Sequence, residues 1–208
     1  MNIIIATHNP GKLSEMNFLF KEFIPETYNI NLLSLNKYTD IPEVLEDGST
    51  FQANAEKKAL FTANYTGEMV IADDSGLVVD ALKGEPGIFS SRYAGENATD
   101  EKNNEKLLEK LNTIPKDSRN AHFLCVIAIA VPNNIIGTFE GKCNGIIGTT
   151  PKGDNGFGYD PLFIRTDIGK TFAELPHDVK NRISHRARAF EKAAAIIEKN
   201  IKLMQQKL

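Results

Sequence analysis

The chain has 208 residues, 41% apolar and 25% charged, enough to bury a sizeable core in one globular domain or in two small lobes sharing a sheet. A formal net charge of −3 excludes the broad basic face of a duplex nucleic-acid binder, although a few converging cations can still hold a small anion. Two cysteines, Cys125 and Cys143, lack Cys-x-x-Cys spacing and the four histidines lack a His-Glu-x-x-His pattern, which argues against zinc and for reduced thiols in a cytoplasmic setting.

In chain order, Ile3 to Ala6 is a β-rich run that reaches polar residues at once, too short for a signal peptide or a membrane span, so a soluble protein with no membrane partner is expected. It breaks at Thr7, His8, Asn9, Pro10, Gly11, after which Leu13, Met16, Leu19, Phe20 and Phe23 recur at helical spacing. Ser49 or Thr50 can cap a second helix running to about Tyr65. Val70 to Ala72 and Leu77 to Leu82 read as two short strands about an acidic turn, followed by a glycine-rich segment from Lys83 to Gly95. Thr99 starts a third helix, with Asp100 and Glu101 favourable to its dipole and Leu107, Leu108 and Leu111 as its apolar side. Phe123 to Val131 is nearly continuous apolar sequence, the pattern of a central strand covered on both faces. Pro132, Asn133 and Asn134 turn it into a second strand, Ile135 to about Ile147. A last helix runs from near Ser184 to the C-terminus, and no repeat or linker divides this α/β chain.

Five segments carry chemistry. Asp73 and Asp74 sit between apolar runs, where an unpaired charge costs several kcal/mol, so Mg²⁺, a lysine or a bound cation is expected to offset them. Successive strand residues face opposite sides, so Asp73 and Asp74 are not expected to face one ion together. Thr7 to Lys12 is a strand-to-helix break suited to phosphate, or equally an ordinary turn; it is not a Walker A loop, because Ala6 and Leu13 occupy positions that motif needs. His185 and Arg186 fall in the first turn of a helix, where cations oppose the dipole, so either an anionic or carbonyl-rich ligand or acids such as Asp178 must compensate. Gly156 to Pro161 combines Phe157 and Tyr159 with glycines that admit close approach, suited to a flat base or to a tight aromatic turn. Glu46 stands just before the second helix, and its role depends on meeting Asp74 in space. Ser75 lacks the Gly-x-Ser-x-Gly setting of a nucleophile.

Together, ATHNPGK at 6–12, EDGSTFQANAEKKA at 46–59, ADDSGLVVDALKGEPGIFSSRYAG at 72–95, GFGYDPLF at 156–163 and K-x-x-x-SHR at 180–186 resemble, in order, the inosine triphosphate pyrophosphatase family, the Ham1-like XTP/dITP diphosphatases. The resemblance spans nearly the whole chain and implies a single domain over residues 1–208. Its fold would be a long twisted mixed β-sheet flanked by helices, with two lobes and a central cleft, usually in a homodimer. It further implies Mg²⁺-dependent hydrolysis of ITP, dITP and XTP to the monophosphate and pyrophosphate, cleansing the nucleotide pool, with no nucleic-acid partner. By the same resemblance Thr7, His8, Asn9, Pro10, Gly11, Lys12 and Lys58 bind the triphosphate, although the His8 side chain gains no independent role and Lys57 competes with Lys58 for the cleft. Glu46 and Asp74 carry Mg²⁺, Asp74 accepts the proton of water, and Ser75 contacts substrate. Phe157, Gly158, Tyr159, Asp160, Lys180, His185 and Arg186 form the base-recognition set. Donors from Lys180, His185 and Arg186 would favour a 6-keto purine and leave adenine unpaired. Two other readings are a Maf-type nucleotide pyrophosphatase, whose phosphate loop typically carries an arginine pair, and a non-catalytic nucleotide binder.

Overall fold

The computed structural model describes residues 1–38 and 40–206. The first strand, β1 (Asn2–Ile5), buries Ile3, Ile4 and Ile5 and leads into α1 (Pro10–Phe23). Pro10 suits the first helical position, and the Asn9 side chain caps the helix by accepting from the Lys12 N–H at 2.9 Å. β2 (Asn31–Ser34) follows. Then α2 (Phe51–Thr66) is capped by Thr50, whose hydroxyl accepts from the Ala53 N–H at 3.1 Å. The second helix thus begins and ends close to where the sequence placed it.

The two short strands expected about an acidic turn are instead one, β3 (Met69–Val79), which passes without a break through Asp73, Asp74, Ser75 and Gly76. The turn is expected from the polar interruption between two apolar runs, and the cost of burying two charges there calls for a compensating cation. That cost is offset inside the strand, because Asp73 pairs with Lys12 and Arg186 and Asp74 accepts from Asn54. Leu82 lies beyond the strand in a 3-10 turn, and the glycine-rich segment forms another over Gly87–Arg92.

α3 (Asp100–Lys110) begins at the Thr99 cap. β4 (Asn120–Val131) and β5 (Asn134–Ile147) are joined through Pro132 and Asn133, the latter at φ 63°. β6 (Phe163–Arg165), β7 (Lys170–Thr171), α4 (His177–Ile183) and α5 (His185–Gln205) complete the order. The sequence expects the last helix to reach the C-terminus; the helix ends at Gln205, ahead of the described Gln206, and residues 207–208 lie outside the described ones. The strands form one seven-stranded sheet in the order β2-β1-β3-β4-β5-β6-β7. β1 runs parallel to β2 and β3, whereas β6 is antiparallel to β5 and β7, so the sheet is mixed and β4 is its middle strand.

The chain forms two compact units. The first comprises Met1–Asp74, Cys125–Gly141 and Arg186–Leu208, the second Ser75–Leu124 and Lys142–His185. The core of the first joins Ile3, Ile5 and Ile71 from the sheet with Met16 and Leu19 of α1 and Phe190 and Ile197 of α5. The core of the second joins Leu77, Leu107, Leu111 and an aromatic cluster of Phe123, Phe163 and Phe172, whose ring centroids lie 4.6 to 5.9 Å apart. No helix among the described residues is long and apolar enough to cross a membrane.

Candidate active site

In the first unit, four of the five sequence blocks meet around the two aspartates of β3. Asp73 is almost fully buried and ties three elements together. Its Oδ2 lies 3.3 Å from Lys12 Nζ on α1 and accepts from Arg186 Nη2 at 2.9 Å and Nε at 3.2 Å on α5. Arg186 also pairs with Glu15, a carboxylate buried on the inner side of α1. Burial alone would push the Asp73 carboxyl upward, but Lys12, Arg186 and Lys58 outweigh it and hold the group far below the usual carboxylate range. Asp73 is therefore a fixed negative charge that anchors Lys12 in the first turn of α1.

Asp74 has the opposite electrostatics. Burial, its largest influence, and the Glu46 charge push its carboxyl above the ordinary value, while Lys12, Lys58 and a hydrogen bond from Asn54 partly restrain the rise. An aspartate held higher than usual is a better proton acceptor than one free in water. Asn54 explains the placement: its Nδ2 donates to Asp74 Oδ2 at 3.0 Å, while its Oδ1 accepts from the Gly48 N–H at 2.8 Å. One buried amide on α2 thus links the loop that carries Glu46 to the aspartate on β3.

Lys58 and Lys57, which the sequence left open, separate cleanly. Lys58 is largely buried, pairs with Glu46 and is influenced by Asp73 and Asp74. Burial would lower its pKa most, yet these three carboxylates together raise it. Lys57 turns outward to the exposed Asp47 at 2.6 Å. Between β1 and α1, Thr7 Oγ1 accepts from the Asn9 N–H at 3.2 Å, and Asn9 takes up the Lys12 N–H for its cap. The cap consumes one of the N–H groups a phosphate could have used; His8, Asn9 and Pro10 are exposed.

The chemistry of Glu46 and Asp74 suits a hard divalent cation, since two mutually repelling carboxylates beside two lysines match the way Mg²⁺ is held by few carboxylates together with substrate phosphates. Among the described residues, no three His, Cys, Asp or Glu side chains form a closed metal cage.

The second unit assembles the aromatic group. Lys180, 2% exposed, pairs with Asp160 and lies 4.7 Å from the centroid of the Phe157 ring. Asp160 Oδ2 also accepts from the Phe157 N–H at 3.0 Å, so a single carboxylate orients both the cation and the ring's backbone. The Tyr159 hydroxyl donates to the Ser90 carbonyl at 2.8 Å. His185 stacks on Phe123 at 4.7 Å, with 13° between the rings. Ser75 is half-buried within β3. His185 and Arg186 do begin α5, but the cation that faces Asp178 is Arg182, at 3.8 Å. Arg186, which the resemblance places in the base-recognition set, pairs with Asp73 and Glu15 in the first unit.

Sequence reasoning missed Asn54 and Glu15. Each carried a signal: Asn54 is one helical turn before Lys58, and Glu15 is a charge one turn before the buried Leu19. A carboxylate on an apolar stripe demands a partner, and Arg186 supplies it.

Comparison with known proteins follows the same lines. The model of the Ham1 family matches residues 3–196. A dITP/XTP pyrophosphatase of Desulforamulus reducens is 50% identical over 199 residues, covering 96% of both chains, and one from Bacillus subtilis is 47% identical over 196 residues, covering 94% of this chain and 96% of its own. Among solved structures, the Staphylococcus aureus Ham1 protein superposes with a TM-score of 0.83 at 40% identity, covering 96% of this chain and all of that one. A Ham1 protein from Coxiella burnetii gives the same TM-score at 39% identity, covering 96% of this chain and 99% of its own.

Proposed function

Because the chain belongs to the Ham1 family, we propose that it is a nucleoside triphosphate pyrophosphatase that converts dITP, XTP and ITP to their monophosphates and pyrophosphate. The observation that carries this reading is Asp74: a buried carboxylate hydrogen-bonded by Asn54, with Glu46, Lys12 and Lys58 as its charged neighbours.

In the proposed reaction, Lys12 and Lys58 offset the charge of the triphosphate, which otherwise repels an incoming nucleophile. The Asp74 carboxylate orients a water and takes its proton. The water oxygen bonds to the α-phosphorus, the bond from that phosphorus to the oxygen bridging to the β-phosphorus breaks, and pyrophosphate departs with the electron pair. Asn54 keeps the Asp74 carboxylate in one orientation throughout. Mg²⁺ held by Glu46 and Asp74, when bound, would supply further charge neutralisation and acidify water. Asp73, held deprotonated by its cations, fixes Lys12 without competing for the proton.

For the base, Phe157 offers a ring, and Lys180 and His185 offer donors suited to a 6-keto purine, which accepts where adenine donates. Gly158, Tyr159, Asp160 and Arg186 complete this set, in which Asp160 orients Lys180, and Ser75 is a further substrate contact. The cytoplasmic nucleotide pool would supply the substrate, and the homodimer usual in the family is the proposed assembly.

Asp74→Asn tests the assignment. It keeps an acceptor for Asn54 but removes the base, so kcat is expected to fall by about 10³-fold while binding of the triphosphate without metal changes little. In heavy-oxygen water the wild-type protein should place the label in the monophosphate. Label in the pyrophosphate, or an active Asp74→Asn variant, would remove Asp74 and α-phosphorus attack from the account.

A further inference from the structure

The turn from Gly156 to Asp160 is held at its apex by a helix that none of the site assignments includes. The Gly158 N–H donates to Asp100 Oδ2 at 2.6 Å, and the Gly158 carbonyl accepts from Asn104 Nδ2 at 2.9 Å. Asp100 and Asn104 are one turn apart on α3, so one side of one helix grips both polar groups of a single residue that lies 58 and 54 positions away in sequence. Gly158 has φ +61° and nothing within 4 Å of where a Cβ would sit, so glycine serves the backbone conformation there and not a lack of room.

The neighbours on either side are the groups with chemistry. Phe157 is tied to Asp160, Asp160 to Lys180, and Tyr159 to Ser90. Fixing the Gly158 peptide therefore fixes the direction in which the Phe157 ring and the Lys180–Asp160 pair are presented. Asn104 is 8% exposed, and its Oδ1 is buried with no hydrogen-bond partner among the described residues. A buried acceptor left in that state costs stability. A side chain serving stability alone would avoid that cost, whereas one needed for its Nδ2 contact to Gly158 would bear it.

Resting on the reading of Phe157 to Asp160 as the base-recognition turn, we propose that Asp100 and Asn104 are positioning residues for base selection, acting through the Gly158 peptide and not by touching substrate. The acceptor at Asp100 and the donor at Asn104 set how sharply a 6-keto purine is preferred over adenine.

The test measures kcat and KM separately for dITP, XTP, ATP and GTP, with the melting temperature, in the wild-type protein and in Asp100→Ala, Asn104→Ala and Asp100→Asn. Loss of the charge-assisted bond at Asp100 or of the neutral bond at Asn104 is expected to raise KM for dITP on the order of tenfold, leave kcat within about threefold, and compress the dITP-to-ATP ratio of kcat/KM by roughly tenfold. Asp100→Asn, whose amide oxygen still accepts from Gly158, is expected to recover most of that loss. If the alanine variants do not fold, Asp100→Glu keeps the charge but overshoots Gly158 by one methylene, and the same compression is expected. Variants that lose melting temperature but retain the wild-type selectivity ratio overturn the inference alone. A wild-type protein inactive on every purine triphosphate overturns the proposed function, and this inference with it.

Discussion

Lys57 and Lys58 are adjacent and chemically identical, yet only Lys58 joins Glu46 and the two aspartates. Lys58→Gln is expected to lower kcat/KM by about a hundredfold, the scale of removing one preorganised charge from a phosphoryl-transfer site, whereas Lys57→Gln should stay within about twofold. Steady-state kinetics on dITP decides, and equal effects would contradict the placement. The buried cluster of Asp73, Arg186, Glu15 and Lys12 predicts a stability effect as well. Asp73→Asn removes the buried charge that faces Lys12 and Arg186 and should cost about 3 kcal/mol or more in urea denaturation, while a loss under about 1 kcal/mol would show the pairing to be dispensable. Tyr93 gives a prediction at alkaline pH. Burial, then its hydrogen bond to Glu85, pushes its hydroxyl from 10.0 up to about 12. The folded pKa is the higher one, so the neutral phenol favours the fold. That contribution is intact below pH 10 and is lost as pH rises towards 12. Tyr93→Phe should flatten this part of the stability profile, and an unchanged slope would exclude Tyr93 as its source.

At the level of elements, the turn from Gly156 to Asp160 depends on backbone conformation. Gly156 has φ +80°, and a Cβ there would lie 2.1 Å from Asp160 Oδ2. Gly156→Ala should therefore displace the carboxylate that orients Lys180 and raise KM more than it lowers kcat; a wild-type KM would show the turn to be tolerant. The Thr50 cap of α2 is worth about 1 kcal/mol, and Thr50→Ala should reduce stability by that amount in chemical denaturation, with no loss contradicting the cap. Both features were legible in the sequence, because capping residues and glycines act locally. The apolar run of β4 was legible for the same reason, as a strand covered on both sides needs no distant information. The continuity of β3 was not. Whether Asp73 and Asp74 break a strand depends on Lys12, Arg186 and Asn54, which approach from three other elements. The pairing of Arg186 was not legible for the same reason: its position at the start of α5 is readable, but Asp73 and Glu15 lie 113 and 171 positions away.

On the scale of the whole molecule, β3, β4 and β5 each contribute residues to both compact units, so three of the four crossings fall within strands, and the fourth falls between His185 and Arg186 at the start of α5. Phe190→Ala in the first core and Phe163→Ala in the second, each expected to cost about 3 to 5 kcal/mol, should lower one shared denaturation midpoint; two resolved transitions would show that the strands do not couple the units. The same division separates the chemistry. Glu46, Asn54, Lys58, Asp73 and Asp74 lie in the first unit, and Phe157, Asp160, Lys180 and His185 in the second. The order of the five blocks along the chain therefore carried the functional signal more strongly than any block alone, since each block by itself matches an ordinary turn, cap or surface pair.

The most direct test is the release of pyrophosphate by the wild-type protein, with Mg²⁺ present, from dITP, XTP, ITP, GTP, ATP and dUTP side by side, with each product identified. Rapid conversion of dITP, XTP and ITP to their monophosphates with little turnover of ATP is the predicted result. Orthophosphate as the product, a preference for the pyrimidine, or no turnover of any purine triphosphate would contradict it.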